Sequence, residues 1–217
     1  MSRPTLLLIA ALIIAIPLSL TAGRAWVFGL DRPDALLIIA ELRLPRALLA
    51  ITVGAGLGAA GAAMQGYLRN PLADPGLFGI APGAALGAVL SFSFGPLLEY
   101  WAASGWLLPI FALIGAGGAM GLLALMAGRG GGIALFTLAG LMIASLAGAL
   151  TSLVISLAPN PWALSEIVTW LMGALTDRSW ADVMLAAPLT LAGVAVLVLA
   201  APALDALTLG EDAARSM

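Results

Sequence analysis

The amino-acid sequence predicts an all-α, polytopic membrane helix bundle. Of the 217 residues, 62% are hydrophobic and only 9% are charged, against about a quarter charged in an ordinary soluble domain. The mean hydropathy is +1.11, and a chain this apolar has too few polar residues to cover a soluble core. Its apolar residues are also grouped in stretches long enough to cross a bilayer.

Six stretches are candidates for membrane spans, since about 20 apolar residues in a helix cross about 30 Å of hydrocarbon. They cover residues 5–22, 47–68, 76–98, 106–127, 133–157 and 181–201. The first stretch also has features of a secretory signal peptide, because Arg3 precedes its apolar run and small residues follow it. We interpret it as an uncleaved first helix, with cleavage of residues 1–22 as the alternative.

Two polar segments separate these stretches. Residues 23–46 hold four arginines and three acidic residues, so this segment is expected in water or at the membrane interface. Residues 162–175 predict a short helix on the outer face, because tryptophans in and around it suit an interfacial position. With a cytoplasmic N-terminus, four arginines lie inside and five outside, so the positive-inside rule does not decide the orientation.

The composition also excludes several classes of function. All nine basic residues are arginines scattered along the chain, so no basic patch for nucleic acid is present. Cysteine and histidine are absent, which excludes disulfides, thiolate or imidazole metal sites and serine-histidine catalysis. We expect no enzymatic activity, no resident metal and no cofactor. The interiors of the spans carry no charged residue, which disfavours an ion-coupled carrier.

One stripe of small residues follows the second stretch at helical spacing. Such a stripe lets two helices approach closely, and a polar side chain on it can bond across the contact. We interpret the stripe as a helix-packing seam. It consists of Gly54, Gly58, Gly61 and Gln65.

The fifth stretch carries three serines on one face, Ser145, Ser152 and Ser156. They suit a hydroxyl-lined path for a polar solute. Each hydroxyl can equally bond to a backbone carbonyl one turn earlier. The sequence leaves both interpretations open.

The connection RNPLADPGLFGIAPG, residues 69–83, is predicted to reverse the chain tightly. Asn70-Pro71 and Asp74-Pro75-Gly76 are both strong turn signals. Because Leu72 lies between two prolines, the loop should be stiff. That property suits a gate and also suits an ordinary helical hairpin.

These residues resemble a known family. The segment LRLPRALLAITVGAGLGAAGAAMQGYLRNPLADPGLFGIAPGAALGAVL, residues 42–90, closely resembles FecCD-type permease subunits of type II ABC importers for iron-siderophores, haem and cobalamin. The likeness continues through LAGLMIASLAGALTSLVISL, IVTWLMGAL and LDALTLGEDAARSM, residues 138–157, 167–175 and 204–217.

The resemblance implies a permease of about ten membrane helices that works as a homo- or heterodimer with two ATPase subunits. Substrate would come from a separate periplasmic binding protein. Because this chain has only six predicted spans, it resembles the N-terminal part of such a permease, truncated after the sixth helix. The implied location is the bacterial plasma (inner) membrane, as a multi-pass protein in contact with lipid.

The resemblance also implies roles for particular residues. Arg43 and Arg46 match the arginines that pair with carboxylates of the binding protein, for which bidentate guanidinium bonding is suited; the alternative is that they only anchor the helix by snorkelling. The matches to the cytoplasmic gate are Asn70, Leu72, Gly132 and Ile133. Those to the ATPase coupling segment, which starts within residues 204–217, are Gly210, Glu211, Ala214 and Arg215.

The function expected from this resemblance is import of an iron(III)-siderophore, a related metal chelate or cobalamin, driven by ATP hydrolysis in a partner subunit. Relatives often carry small hydroxyl residues in the second gate loop, where residues 130–134 of this chain read GGGIA. The alternative function is a truncated membrane module that packs against partner helices without transporting.

Overall fold

The computed structural model describes residues 3–22, 34–94, 105–128, 132–158 and 161–208. All regular structure in these ranges is helical, which confirms the predicted class. The helices are α1 (Arg3–Thr21), α2 (Ala35–Leu68), α3 (Ile80–Phe94), α4 (Leu107–Ala127), α5 (Gly132–Ser156), α6 (Pro161–Met172) and α7 (Trp180–Thr208). A 3-10 turn, Pro75–Phe78, precedes α3.

Five of the described helices are long and apolar enough to cross a membrane, namely α1, α2, α4, α5 and α7. The described part of α3 has 15 residues, which at the α-helical rise is about 22 Å and shorter than the hydrocarbon layer. Residues 95–104 lie outside the described ranges. The third span, predicted at 76–98, therefore stays a prediction over residues 95–98.

Two helices begin elsewhere than the apolar pattern predicts. The second stretch was delimited by its charges to 47–68, but α2 already begins at Ala35 and includes a π-helical turn, Ile38–Arg43. Hydropathy misses this extension because its arginines and glutamate can lie beyond the apolar layer without breaking the helix. The helix α3 begins at Ile80, not at residue 76, because Gly79 has a φ of 78° and separates it from the 3-10 turn.

Two helix ends also differ from the prediction. The surface helix, predicted at 162–175, is α6 and ends at Met172. Gly173 has a φ of 72°, and its N–H donates to the Trp170 carbonyl at 3.1 Å, which closes the helix. At the other end of the chain, α7 continues past the predicted residue 201 to Thr208, through Pro202.

The chain divides into two compact units. One unit, Met64–Ala174, contains α3, α4 and α5 packed on one another, with α6 packed on α3. Its core combines the 3-10 turn with α4 and α5. The buried core residues are Phe78, Ala119, Leu123, Ala139 and Ile143.

The contact between α3 and α4 depends on glycine. A Cβ added at Gly83 would lie 2.7 Å from the carbonyl oxygen of Gly115, and one added at Gly87 would overlap the Phe111 carbonyl. The two backbones thus approach more closely than any larger residue would permit. This contact rigidly joins the two helices within the unit.

The other unit comprises Met1–Ala63 and Leu175–Met217. In it α1 has no buried residue among those described, as expected for an apolar helix facing lipid. The middle of α2 contacts α7, where Gly56 lies so close to Thr190 that an added Cβ would be 2.8 Å from its Cγ2. Two side-chain hydrogen bonds also join α2 to its neighbours: Arg43 donates to the Leu20 carbonyl of α1, and Trp180 of α7 donates to the Ala40 carbonyl.

Candidate functional site

The loop after α2 begins with a tight reversal of the chain. Arg69 has a φ of 51°, and the Asn70 N–H donates to the Gln65 carbonyl at 3.2 Å, which closes the helix. The Asn70 side chain then accepts from the Leu72 N–H at 2.9 Å, while the Ala73 N–H donates to the Asn70 carbonyl at 3.1 Å. The first predicted turn is therefore an Asx turn.

The second half of the loop repeats this device at Asp74. The Asp74 carboxylate accepts from the Gly76 N–H at 2.6 Å and caps the 3-10 turn. The Leu77 N–H donates to the Asp74 carbonyl at 3.2 Å. Two consecutive side-chain caps thus constrain the loop backbone at Asn70 and Asp74. The stiffness of the loop stays a prediction.

Leu72 lies at the exposed tip between these two turns. Its side chain is 84% exposed, whereas the adjacent Ala73 is buried. A large apolar side chain held out of the structure on a fixed backbone has little apolar contact within its own unit. It is suited to meet another apolar surface.

The loop is anchored by Phe78, which is 2% exposed. Its ring lies 5.1 Å from the ring of Phe136 in α5, and the Phe136 ring makes an edge contact at 5.3 Å with Tyr67 in the last turn of α2. Such ring distances are favourable for aromatic pairs. We call Tyr67, Phe78 and Phe136 the aromatic cluster.

The aromatic cluster joins the two segments matched to a gate. Gly132, with a φ of 62°, and Ile133 begin α5, and Phe136 follows one turn later. The Ile133 carbonyl accepts from Thr137 Oγ1 at 2.8 Å. The structure thus connects the loop 69–79 to the start of α5 through aromatic side chains that the sequence analysis did not single out.

The two arginines matched to docking have different surroundings. Arg43 is half-buried, and its guanidinium donates to the Leu20 carbonyl in the last turn of α1 at 2.8 Å. Arg46 is exposed. Neither interpretation of the two arginines, docking or snorkelling, includes the bond from Arg43 to α1.

Both Ser152 and Ser156 form the backbone bonds of the second interpretation. Their hydroxyls donate to the carbonyls of Gly148 at 3.1 Å and Leu153 at 2.9 Å, respectively. The three serines, including Ser145, are nevertheless exposed. A hydroxyl that donates to a carbonyl can still accept a hydrogen bond from a solute. The role of these serines in lining a path therefore stays a prediction.

The predicted packing stripe has no close neighbour within the described part of the chain. A Cβ added at Gly54, Gly58 or Gly61 would meet nothing within 4 Å, and Gln65 is exposed. The close contact of α2 lies instead at Gly56. The residues matched to ATPase coupling, Gly210, Glu211, Ala214 and Arg215, lie outside the described ranges.

No cluster of three or more metal-ligating side chains occurs in the ranges that the structure describes. The site presents an apolar side chain, Leu72, that can exclude water, and a cation, Arg46. Its described residues hold no set of ligands for a metal ion.

Comparison with known proteins identifies relatives along almost the whole chain. The family model described as the FecCD transport family matches residues 4–217. An Fe(3+)-citrate import system permease protein, YfmD of Bacillus subtilis, is 32% identical over 92% of this chain and 58% of its own length. A cobalamin import system permease protein, BtuC of Halobacterium salinarum, is 34% identical over 88% of this chain and 50% of its own.

A solved structure has the same fold. It is described as a metal-chelate type ABC transporter in an inward-facing conformation and shares 29% sequence identity, with a TM-score of 0.86 over 99% of this chain and 68% of that chain. The chain spans about half the length of the curated relatives it matches.

Proposed function

The chain belongs to the FecCD transport family, and from this premise we propose that it serves as a membrane permease subunit of an ATP-driven importer. The proposed cargo is an iron(III)-siderophore, a related metal chelate or cobalamin. The observation that carries the proposal is the family match over residues 4–217. The relatives named for iron-citrate and cobalamin import support the class of cargo.

The proposed assembly contains partners that this chain does not supply. A separate ATPase subunit hydrolyses ATP, a periplasmic binding protein delivers the substrate, and a second permease subunit completes the pathway in the plasma (inner) membrane. The proposed contact with the ATPase consists of Gly210, Glu211, Ala214 and Arg215. A rigid contact of this kind would convert closure of the ATPase into movement of the permease.

The loop 69–79 is the proposed gate. Its backbone is fixed by Asn70 and Asp74, so Leu72 is presented in one position. An apolar tip that meets another apolar surface excludes water, and it can open when the segments that carry it move apart. The aromatic cluster supports this assignment because it ties the loop to the start of α5, where Gly132 and Ile133 lie.

The serines Ser145, Ser152 and Ser156 are proposed to line the pathway. They are exposed on α5 although two of them bond to backbone carbonyls. The stripe at Gly54, Gly58, Gly61 and Gln65 remains the proposed seam for a further helix.

The arginine segment of α2 is proposed to receive the binding protein. The test replaces Arg43 and Arg46 together by glutamate in the full-length permease, assembled with its ATPase and binding protein. We expect capture of the binding protein to be abolished, because like charges at a carboxylate contact cost several kcal/mol. Capture is measured as the binding of soluble binding protein to the permease complex immobilised on a surface.

The control is Arg178→Glu, which reverses one arginine charge in the segment before α7, half the charge change of the double replacement. Arg178 lies 3.6 Å from Asp182 and is partly exposed. Capture that survives the double replacement would disprove the docking assignment. If the complex assembles but the loaded binding protein never stimulates ATP hydrolysis, the non-transporting membrane module becomes the better description.

A further inference from the structure

The π-helical turn of α2 is followed by a proline, which cannot donate to the next carbonyl in the register of this turn. In this turn, Ile38–Arg43, the Leu44 N–H donates to the Ile39 carbonyl, five residues back. The next carbonyl in the same register belongs to Ala40 and would need the N–H of residue 45. Residue 45 is proline, which has no N–H.

A tryptophan from another helix satisfies this carbonyl. The indole Nε1 of Trp180, the first residue of α7, donates to the Ala40 carbonyl at 3.1 Å. This hydrogen bond is exposed, so the indole N–H, which can only donate, gives the carbonyl a fixed partner at a position where water could otherwise bond. Pro45 and Trp180 therefore form a matched pair although they lie far apart in the sequence.

The last residue of the same turn makes a second connection. Arg43 donates to the Leu20 carbonyl at 2.8 Å, and the last carbonyls of a helix have no partner within it. A cation there also interacts favourably with the helix dipole. We call these two hydrogen bonds, Arg43 to Leu20 and Trp180 to Ala40, the clasp.

Arg46 lies one turn beyond the clasp and is exposed. Residues three apart on a helix lie on neighbouring positions of its surface, so the orientation of Arg46 follows the orientation of the clasped turn. Both arginines carry the same charge, but the guanidinium of Arg43 is bonded to α1. Only Arg46 is presented without such a bond to a neighbouring helix among the described residues.

We propose that Arg43 and Trp180 are positioning residues that hold the turn, and that Arg46 is the cation that meets the carboxylates of the binding protein. This assignment rests on the proposed function and divides the arginine pair, which the family resemblance treats alike. It makes Trp180, which carries no charge, a determinant of capture.

The first experiment tests the clasp without any partner. Amide hydrogen exchange is measured on the full permease in lipid nanodiscs. In α1 the Ala22 N–H donates to the Leu18 carbonyl at 2.8 Å, so the amides of this last turn report on its order. We expect Arg43→Met to accelerate their exchange about tenfold or more and Arg43→Lys to restore most of the protection.

In the same experiment, Trp180→Phe keeps an aromatic side chain but removes the indole N–H donor, so exchange should accelerate at residues 39–44 of α2. The matched control is Trp170→Phe in α6, which should leave exchange in α2 unchanged. If Trp180→Phe leaves these amides as protected as in the parent protein, the clasp does not hold the turn and the proposal is wrong.

The second experiment separates positioning from docking by the salt dependence of capture. Intact, purified complexes are compared, so a variant that only lowers assembly does not change the result. Arg46→Met should weaken capture about tenfold or more and flatten its salt dependence, because a charge pair is lost. Trp180→Phe should weaken capture about threefold or more with the parent's salt dependence, since no charge changes.

Arg43 decides between the two roles. If it positions, Arg43→Met weakens capture with a salt dependence close to that of Trp180→Phe, and Arg43→Lys restores affinity. If Arg43→Met flattens the salt dependence as strongly as Arg46→Met while Trp180→Phe captures normally, Arg43 itself docks and the proposal is overturned. Failure of the parent complex to capture any binding protein would instead refute the proposed function, and the exchange experiment would still decide the clasp.

Discussion

At the scale of single residues, Phe78 shows how one side chain fixes the geometry of a loop. Its ring is buried beside Gly140 of α5, where an added Cβ would lie 2.9 Å from Phe78 Cδ1. The following residue, Gly79, has a φ of 78°, and a Cβ there would lie 2.6 Å from Ile143 Cγ2. Gly140 therefore makes room for the ring, and Gly79 lets the backbone next to it approach α5 at Ile143.

The substitution Gly79→Ala should destabilise the protein by roughly 2 kcal/mol or more, because it adds both a left-handed backbone penalty and a steric overlap. Thermal unfolding of the purified permease in detergent measures the effect. Gly105→Ala separates the two causes, since Gly105 has a φ of 73° but no atom within 4 Å of an added Cβ. A loss no larger for Gly79→Ala than for Gly105→Ala would show that the overlap is relieved at little cost.

At the scale of elements, the helix ends depend on local hydrogen bonds that hydropathy does not encode. At the start of α7, the Ser179 N–H and hydroxyl both donate to Asp182 Oδ2, at 2.8 Å and 3.1 Å. This is one half of a capping box. The Asp182 carboxylate also lies 3.6 Å from the Arg178 guanidinium.

Replacing Asp182 by alanine should cost about 1 kcal/mol, the usual value of an N-terminal cap. Replacing Arg178 by alanine should cost less than about 0.5 kcal/mol, because both partners of this ion pair are more than a third exposed. Denaturant titration of the two variants in the same detergent compares them. Equal losses would mean that the ion pair, not the cap, contributes the stability.

The sequence predicts helices well but predicts their ends less well, for a physical reason. Apolar composition located the five described helices that are long and apolar enough to cross a membrane, and the turn signals at Asn70 and Asp74 correspond to Asx turns in the structure. The charged residues 41, 43 and 46 made the predicted second stretch begin too late, because a helix can extend beyond the apolar layer. The aromatic cluster was not predicted, since its members share no spacing in the sequence.

At the scale of the whole molecule, the order of the helices determines which loops share a side of the membrane. In the ranges that the structure describes, the helices α3, α4, α5 and α6 lie between the loop 69–79 and the segment before α7. If α3, α4 and α5 each cross the membrane once and α6 lies on the outer face, as predicted, the loop and the segment lie on opposite sides. The sequence contains no cysteine, so single cysteines can test this directly.

Leu72→Cys should react with a membrane-impermeant maleimide only from the cytoplasmic side, and Thr176→Cys only from the outer side. Both positions are exposed. Labelling is compared in intact cells and inside-out vesicles. Leu123→Cys is the unreactive control, because Leu123 is 1% exposed. Reaction of both exposed cysteines from one side would mean that α3, α4 and α5 do not each cross the membrane once.

The sequence by itself determined that the chain is a helical membrane protein and which family motif it carries, because both properties depend on composition and on short runs of residues. Only the tertiary structure distinguished Arg43 from Arg46 and connected Trp180 to the carbonyl to which Pro45 cannot donate. Helix periodicity describes one element at a time. A hydrogen bond between residues 140 positions apart depends on where folding brings two elements together, which no local pattern contains.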